Sequence, residues 1–412
     1  VAGTDGRVVH GQRQRGVAMK RIHCRACNAC GLTEVLHLGL QPPSNALLAK
    51  PGPEKTYPLR MVVCRQCHLM QLDYDVPHDE LFTGGYPYFS GASAAQVQHA
   101  KEYVDMITDR LQLDCNSYVV EIGGNDGTLL KQFVEPRVLN VEISESVAAA
   151  SEAAGIPVLR TPWGWHFERL PRERADLIIA NNVMAHTPDP LGFIDCIKRN
   201  LGDHGTFTAE FPWGKNLIDQ TQFDTIYHEH YSYFTLTSLL PLFAKCGLCI
   251  YHVEHLPVHG GSLRIYASHA GCPQTSAVKE FLLAEAPLNR LETYWKFRER
   301  AFSLRGYFES FLSKHAPICA FGAAAKGNTF LNWMKVDSSE ILAVGDDTAA
   351  KQGRFLPGSH IPIVPEQELL AMRPDYVLIL PWNWADAIAN KLHCIRAWGG
   401  QFVTAIPDLR VF

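Results

Sequence analysis

The 412-residue sequence lacks any apolar run approaching the roughly 20 residues that a membrane-spanning helix needs. No membrane span is therefore expected. It also lacks a long Lys/Arg run, and its net charge is −4, so nothing advertises a phosphate backbone as partner and no nucleic acid is expected. The first eighteen residues, Val1 to Ala18, are polar and rich in Gly, Arg and Gln, without the apolar core of a secretory signal. They read as a disordered tail ahead of Met19. Missing as well is any short-period repeat, which excludes solenoids and arrays. Without a secretory signal, the twelve cysteines do not read as a disulfide framework, and a reducing cytoplasmic setting is expected. Cys115, Cys196, Cys246, Cys249 and Cys319 lie in apolar runs and read as small buried hydrophobes.

What is present is ordinary for a soluble globular enzyme: 47% apolar and 19% charged residues. The length suits two or three domains. The pattern predicts an α/β chain with a small Cys- and Pro-rich domain over 19–80, a central domain over 81–290 and a C-terminal domain over 291–412. Buried-strand candidates in the centre are Ser117 to Ile122, Val138 to Glu142, Ala175 to Ala180 and Thr206 to Glu210, with helical segments between them. In the last part, Ile318 to Phe321, Ile341 to Val344 and Tyr376 to Leu380 repeat that layout on a smaller scale, behind a long helical pattern over 276–314. Both parts read as Rossmann-like.

Cys24-x-x-Cys27 and Cys64-x-x-Cys67 form a paired signal. Four thiolates would give zinc a closed tetrahedral shell, which suits a structural ion. The 36 residues between the pairs exceed the usual ribbon spacing, but loop closure costs little more with length. Cys30 and His23 are nearby spares. Four unrelated buried thiols or redox CxxC pairs are the alternatives.

Glu121-Ile122-Gly123-Gly124-Asn125-Asp126-Gly127 follows a strand and should open a helix, bringing backbone N–H groups beside a ligand. Glu142, 21 residues after Glu121 at the end of the next strand, suits ribose hydroxyls. Such a turn alone is shared with NAD enzymes. Two features tilt it toward S-adenosylmethionine: the acid before the glycines, and Asn181-Asn182-Val183-Met184-Ala185-His186 after the third strand.

The chain then resembles the sugar C-methyltransferases that act on nucleotide-linked 4-keto deoxysugars. The resemblance runs from about Cys24 to the C-terminus. It rests on the blocks above together with Tyr86-x-Tyr88-x-Ser90, Phe223-Asp224-Thr225-Ile226-Tyr227-His228-Glu229-His230, Gly260-Gly261-Ser262-Leu263-Arg264 and Gly322-Ala323-x-Ala325-Lys326-Gly327-Asn328. Two departures stand out. Position 124 is Gly where Ser or similar is expected, and Gly345 to Lys351 lacks the Asn-Pro usual after its Asp.

The resemblance implies a zinc-binding N-terminal domain, a central class I methyltransferase domain and a C-terminal nucleotide-sugar-binding domain. The implied substrate is dTDP-linked, with methylation beside the ketone, at C-3 first, through an enolate. His230 is the implied general base, with Tyr227, Glu229 and His186 as partners. Cofactor contacts are expected from Tyr86, Tyr88, Glu121, Gly123, Asn125, Asp126, Glu142, Asn181 and Asn182. Substrate contacts are expected from Tyr227, His228, Arg264, Lys326 and Asn328, the last two as a diphosphate site. The layout suits a monomer. His228 and His230, two apart on a presumed strand, would share a face; a metal pair there would lack a third ligand. The competing readings are methylation at O or N of another small molecule, and a zinc-ribbon protein that binds nucleic acid.

Overall fold

The computed structural model describes residues 19–81, 89–164 and 166–412. The disordered-tail expectation for 1–18 and the cofactor contacts expected of Tyr86 and Tyr88 lie outside the described residues.

The cysteine-bearing part is an antiparallel sheet of β1 (Leu32–Gln41), β2 (Tyr57–Cys64) and β3 (Met70–Leu72). A short strand of the central part, Ser232–Tyr233, pairs with β3 and completes it. One face of β2 is apolar throughout: Leu59, Met61 and Val63 are fully buried. Such a small sheet cannot close a core by itself. Its apolar face continues into a core shared with Phe297, Phe308, Phe330 and Leu331.

The central part begins with helix α1 (Ala94–Leu111), capped by the Ser93 side chain on the Gln96 N–H. Its strands are β4 (Tyr118–Ile122), β5 (Arg137–Val141), β6 (Val158–Leu159), β7 (Ala175–Ile179), β8 (Leu201–Pro212), β9 (Leu248–Leu256) and β10 (Ser262–His269). They form one sheet in the order β9-β10-β8-β7-β4-β5-β6, parallel except where β10 runs against β8 and β9. β4 and β7 are almost wholly apolar, as strands covered on both faces should be. The β9–β10 pair was not expected from the sequence, where Gly260 to Arg264 entered only as a block of the resemblance with Arg264 as a candidate substrate contact.

The C-terminal part opens with α2 (Leu291–His315), then β11 (Ile318–Phe321), α3 (Ala325–Met334), β12 (Ile341–Gly345), β13 (Ile363–Val364), β14 (Tyr376–Ile379), β15 (Gln401–Thr404) and β16 (Arg410–Val411). The order is β13-β12-β11-β14-β15-β16, parallel but for β16. This is a second doubly wound sheet with strand reversal beside β11, as the repeated strand pattern predicted. No helix among the described residues is long and apolar enough to cross a membrane.

Glu285 ties three elements of the central part together. Fully buried, it accepts from Trp213 Nε1 at 2.7 Å, from the N–H groups of Leu236 and Thr237 at 2.8 and 2.7 Å, and from Thr237 Oγ1 at 2.6 Å. A carboxylate at the start of helix Leu236–Lys245 faces unpaired N–H groups and the positive end of the helix. Glu285→Ala is expected to destabilise the fold by about 3 kcal/mol or more. Thermal and urea unfolding check this; an unchanged midpoint would show that the cap is dispensable.

Candidate active site and metal centre

Each Cys-x-x-Cys makes the same turn. Asn28 N–H donates to Cys24 O and His68 N–H to Cys64 O, both at 3.0 Å, and Asn28 and His68 both have φ near +60°. The two turns face each other, so the ligand atoms of Cys24, Cys27, Cys64 and Cys67 all lie within 4.8 Å of one another. A tetrahedral zinc with Zn–S about 2.3 Å places its sulfurs about 3.8 Å apart, so four converging thiols fit that ion. Cys30 and His23 stand outside, 3.4 Å from each other.

The glycine loop leaves β4 as expected. Gly123 adopts φ +64°, and its N–H donates to Val141 O at 2.8 Å. A Cβ there would meet Val183 at 2.7 Å, so glycine lets this turn and the 181–186 turn touch. No regular α-helix follows. Asp126 accepts from Thr128 N–H at 3.2 Å and from Thr128 Oγ1, and one 3-10 turn, Leu130–Gln132, comes next. Local side-chain bonds of this kind compete with a helix. Gly124 also has a reason. A Cβ would lie 2.6 Å from Asn140 Oδ1 and 2.7 Å from Glu121 Oε2. Asn140, fully buried and missed in the sequence, accepts from Gly124 N–H at 3.0 Å and donates to Asn125 O at 3.0 Å.

Glu142 stands at the end of β5. It accepts from Asn125 N–H at 3.1 Å and Ser144 N–H at 2.8 Å. Glu121 lies behind the loop, and burial, then Glu142, Asp126 and Glu210, push its carboxyl up to about 8. Asn125 accepts from Ser90 N–H and Asp126 from Gly91 N–H, which draws residues 90–91 over the loop. In the 181–186 turn, Asn182 N–H donates to Glu210 O at 2.7 Å and Asn181 Oδ1 accepts from Glu210 N–H at 3.2 Å.

Of these residues, Glu121, Gly123, Gly124, Asn125, Glu142, Asn181 and Asn182 line one cavity of about 2220 Å³. That is about twice the upper end for one small-molecule site, so it has room for two ligands. Gly123, Gly124, Glu142 and Asn182 form one end; His186, Glu229 and His259 line it further on; Asn45 to Leu47 and Thr348 to Arg354 add walls from the N- and C-terminal parts. The strand ends of β4, β5, β7 and β8 all open into it, where ligands of such sheets bind.

Residues 227–230 form a turn, not a strand: His230 N–H donates to Tyr227 O at 2.9 Å. His228 and His230 therefore diverge, correcting the shared face expected above. His230 Nδ1 lies 3.0 Å from Thr225 O, which can only accept, so Nδ1 carries the hydrogen. Nε2 is then the acceptor for the Tyr227 hydroxyl at 2.7 Å. The His186 ring stands 4.8 Å from that of His230, and Tyr231 N–H on Ala185 O binds the two turns together. Burial, then the neighbouring His186, hold His230 well below the ordinary imidazole range, and burial lowers His186 to about 4. Glu229 is pushed up to about 7 by burial, against the Asn45 amide that donates to its Oε1 at 2.6 Å.

None of the five expected substrate residues, Tyr227, His228, Arg264, Lys326 and Asn328, is on the cavity wall. His228 is buried against the Tyr57 ring of β2, 6.1 Å away. Arg264 donates to Glu210 Oε1 from Nε at 2.9 Å and lies over the Tyr103 ring, so its charge is already matched. Lys326 lies 4.5 Å over the Trp382 ring and donates to Asn383, beside Asp224; Asn328 on α3 is fully buried. Cations on a glycine loop read as free in sequence, but their partners come from distant segments. The cations that do line the C-terminal wall are Lys351 and Arg354. His99, Glu210, His259 and Asn45 were also missed, since none sits in a recognisable motif.

Residues 24–82 match the family described as "Putative zinc binding domain", 95–253 match "Methyltransferase domain" and 257–407 match "C-methyltransferase C-terminal domain". C-methyltransferase NovU of Streptomyces niveus is 33% identical over 407 residues, covering 94% of this chain and 96% of the relative. Among solved structures, an S-adenosylmethionine-dependent methyltransferase of Clostridium acetobutylicum has TM-score 0.36 at 8% identity, covering 42% of this chain and 92% of its own. One from Mesorhizobium loti has TM-score 0.33 at 15% identity, covering 42% and 99%.

Two measurements check the site. Metal analysis of the full chain is expected to find about one zinc, lost on Cys64→Ser; a metal-free native protein refutes the cluster. Gly124→Ala is expected to weaken S-adenosylmethionine binding about tenfold by calorimetry, because the crowded loop must move. With matches over all three parts and a full-length relative, the chain belongs to the S-adenosylmethionine-dependent C-methyltransferases.

Proposed function

We propose that the protein methylates the carbon beside the 4-ketone of a nucleotide-linked deoxysugar, C-3 before C-5, and that its zinc is structural. The observation that carries the reading is the Thr225–His230–Tyr227 chain beside the same cavity that holds the glycine loop. Support for a nucleotide sugar comes from the cavity's capacity for two ligands and from Arg354 on its C-terminal wall, which suits a diphosphate, beside Lys351, whose Nζ already meets Ala323 O at 2.9 Å and Asp346 at 3.4 Å. A dTDP carrier is the first choice. At the other end, Gly123, Asn125, Asp126, Glu142, Asn181 and Asn182 would hold S-adenosylmethionine, with Glu142 toward the ribose and Glu121 supporting the loop.

When bound, S-adenosylmethionine supplies a methyl on a sulfonium sulfur, which leaves as a neutral thioether. His230 is the base. With its Nδ1–H fixed on Thr225 O, it takes the proton of the sugar carbon at Nε2, and the C–H electron pair moves to the ketone oxygen. The Tyr227 hydroxyl, which occupies Nε2 in the resting geometry, turns to that oxygen. Glu229, protonated below neutrality, donates a second hydrogen bond to it. The enolate carbon then forms the new C–C bond as the methyl–sulfur bond breaks. His186 holds the rim of the base, neutral at physiological pH, so it adds no repulsion to the imidazolium that forms.

The direct test incubates the protein with a dTDP-4-keto-6-deoxysugar and labelled cofactor and locates the methyl by NMR. Label on oxygen or nitrogen would overturn the reading in favour of another methyltransferase class. His230→Ala is expected to abolish turnover while S-adenosylmethionine binding persists; wild-type turnover removes His230 as base. In the pH profile of kcat/KM, a lowered imidazole pKa keeps the base neutral, so no acid limb is expected at 6.5, the ordinary histidine value. An alkaline limb is expected near 7 as Glu229 ionises, absent in Glu229→Gln. An acid limb at 6.5, or an alkaline limb retained in that variant, would contradict the assignment.

A further inference from the structure

We infer that Asn45, contributed by the cysteine-bearing part, is a positioning residue for the reaction: its amide fixes which oxygen of Glu229 carries the proton given to the substrate. This rests on the role of Glu229 proposed above. An amide N–H only donates, so the oxygen it meets serves as acceptor and the proton of a carboxylic acid sits on the other one. Asn45 Nδ2 lies 2.6 Å from Glu229 Oε1, which assigns the proton to Oε2. Both residues line the cavity.

The strap that carries Asn45 is held on both sides of it. Ser44 Oγ lies 3.3 Å from Thr329 Oγ1 on α3, within a fully buried pair of helix and strap. Leu48 and Phe355 exchange backbone hydrogen bonds at 3.0 and 2.9 Å. Glu54 accepts from Gly358 N–H at 2.8 Å and from His360 Nε2 at 2.7 Å. Residues 44–54 are thus stitched along the C-terminal part while the one side chain between the stitches that reaches Glu229 comes from it. A donor needed only for packing would not require anchoring from a third part of the chain, and the direction of the Glu229 shift agrees: burial raises the carboxyl and the Asn45 bond opposes it.

The test uses the full-length chain with the nucleotide-linked keto sugar. Asn45→Ala is expected to lower kcat about tenfold, the effect of losing one hydrogen bond to a charged or charge-developing group, with KM, S-adenosylmethionine affinity and zinc content unchanged. Asn45→Asp keeps the shape but its carboxylate cannot donate, so it should lose at least as much; it carries the test where the alanine variant fails to fold. In a Glu229→Ala background, Asn45→Ala should cost nothing further. Wild-type kcat in both variants, a loss confined to KM, or a full repeat of the loss in that background overturns the inference. A substrate-free readout separates it from the reading it rests on. The carboxyl C=O infrared band assigned to Glu229 by its loss in Glu229→Gln should shift in Asn45→Ala. An unmoved band overturns the role of Asn45 whatever the substrate is, whereas a shifted band without sugar methylation overturns the substrate instead.

Discussion

The carbonyl oxygen of Thr225 decides which nitrogen of His230 carries the hydrogen. Because it can only accept, it takes the Nδ1 hydrogen of His230 and leaves Nε2 as the lone pair. Everything that sets the position of that carbonyl therefore sets the lone pair on which the proposed base role depends. Thr225 ends a short 3-10 turn whose neighbour, Asp224, is buried and accepts from Trp382 Nε1 of the C-terminal part at 2.8 Å. Burial raises the Asp224 carboxyl to about 6, against Lys326 and the Trp382 bond. Lys326, expected to greet a diphosphate, instead faces this acid from above the same tryptophan. The motif Gly322 to Asn328 thus packs behind the turn that carries Thr225.

The opposite end of the cavity obeys a different constraint. Four carboxylates, those of Glu121, Asp126, Glu142 and Glu210, are buried close enough for three of them to raise the fourth. Burying like charges is costly unless each finds a partner. Glu142 and Asp126 find backbone N–H groups, and Glu210 finds His99 at 2.8 Å and Arg264. Burial and these neighbours push the Glu121 carboxyl up to about 8. An acidic wall of this kind suits a cationic sulfonium, and Arg264, with His99, offsets the buried charge of Glu210.

The sequence carried the parts whose meaning is local. A cysteine pair two residues apart already encodes a metal knuckle, and an acid, glycines and Asn-Asp after a strand already encode the turn at its end. The fold class followed from apolar runs of strand length, which both doubly wound sheets repeat. What stayed hidden depends on pairings between distant segments. Arg264 and Glu210 are 54 positions apart, Asn45 and Glu229 are 184 apart, and neither pairing has a spacing that sequence could announce. The Tyr227 to His230 block was given a strand's periodicity where the chain makes a turn. A turn there sends His228 to the cysteine-bearing sheet and His230 against His186, which lines the cavity. Gly124 looked like a departure because its reason, the Asn140 side chain, lies on the neighbouring strand.

The place of the cysteine cluster follows from these packing relations. The sheet that bears it is too small to stand alone, borrows a strand from the central part and shares its core with α2 and α3. Two of its basic residues are spent internally: Arg25 is buried with Asp75, and Arg60 pairs with Asp73 at 2.8 Å. A closed tetrahedral ion between two knuckles would stiffen the base of a sheet whose far end emits the strap 44–54. His228, buried against Tyr57 of that sheet, anchors the next residue, Glu229, from the same side. The central part holds His230, the C-terminal part fixes the turn behind it, and the cysteine-bearing part grips Glu229 beside it. The cavity's chemistry is therefore a property of how three cores pack. Loosening the N- or C-terminal core should disturb the proposed proton transfer before it disturbs binding at the glycine loop, because that loop is braced within the central part.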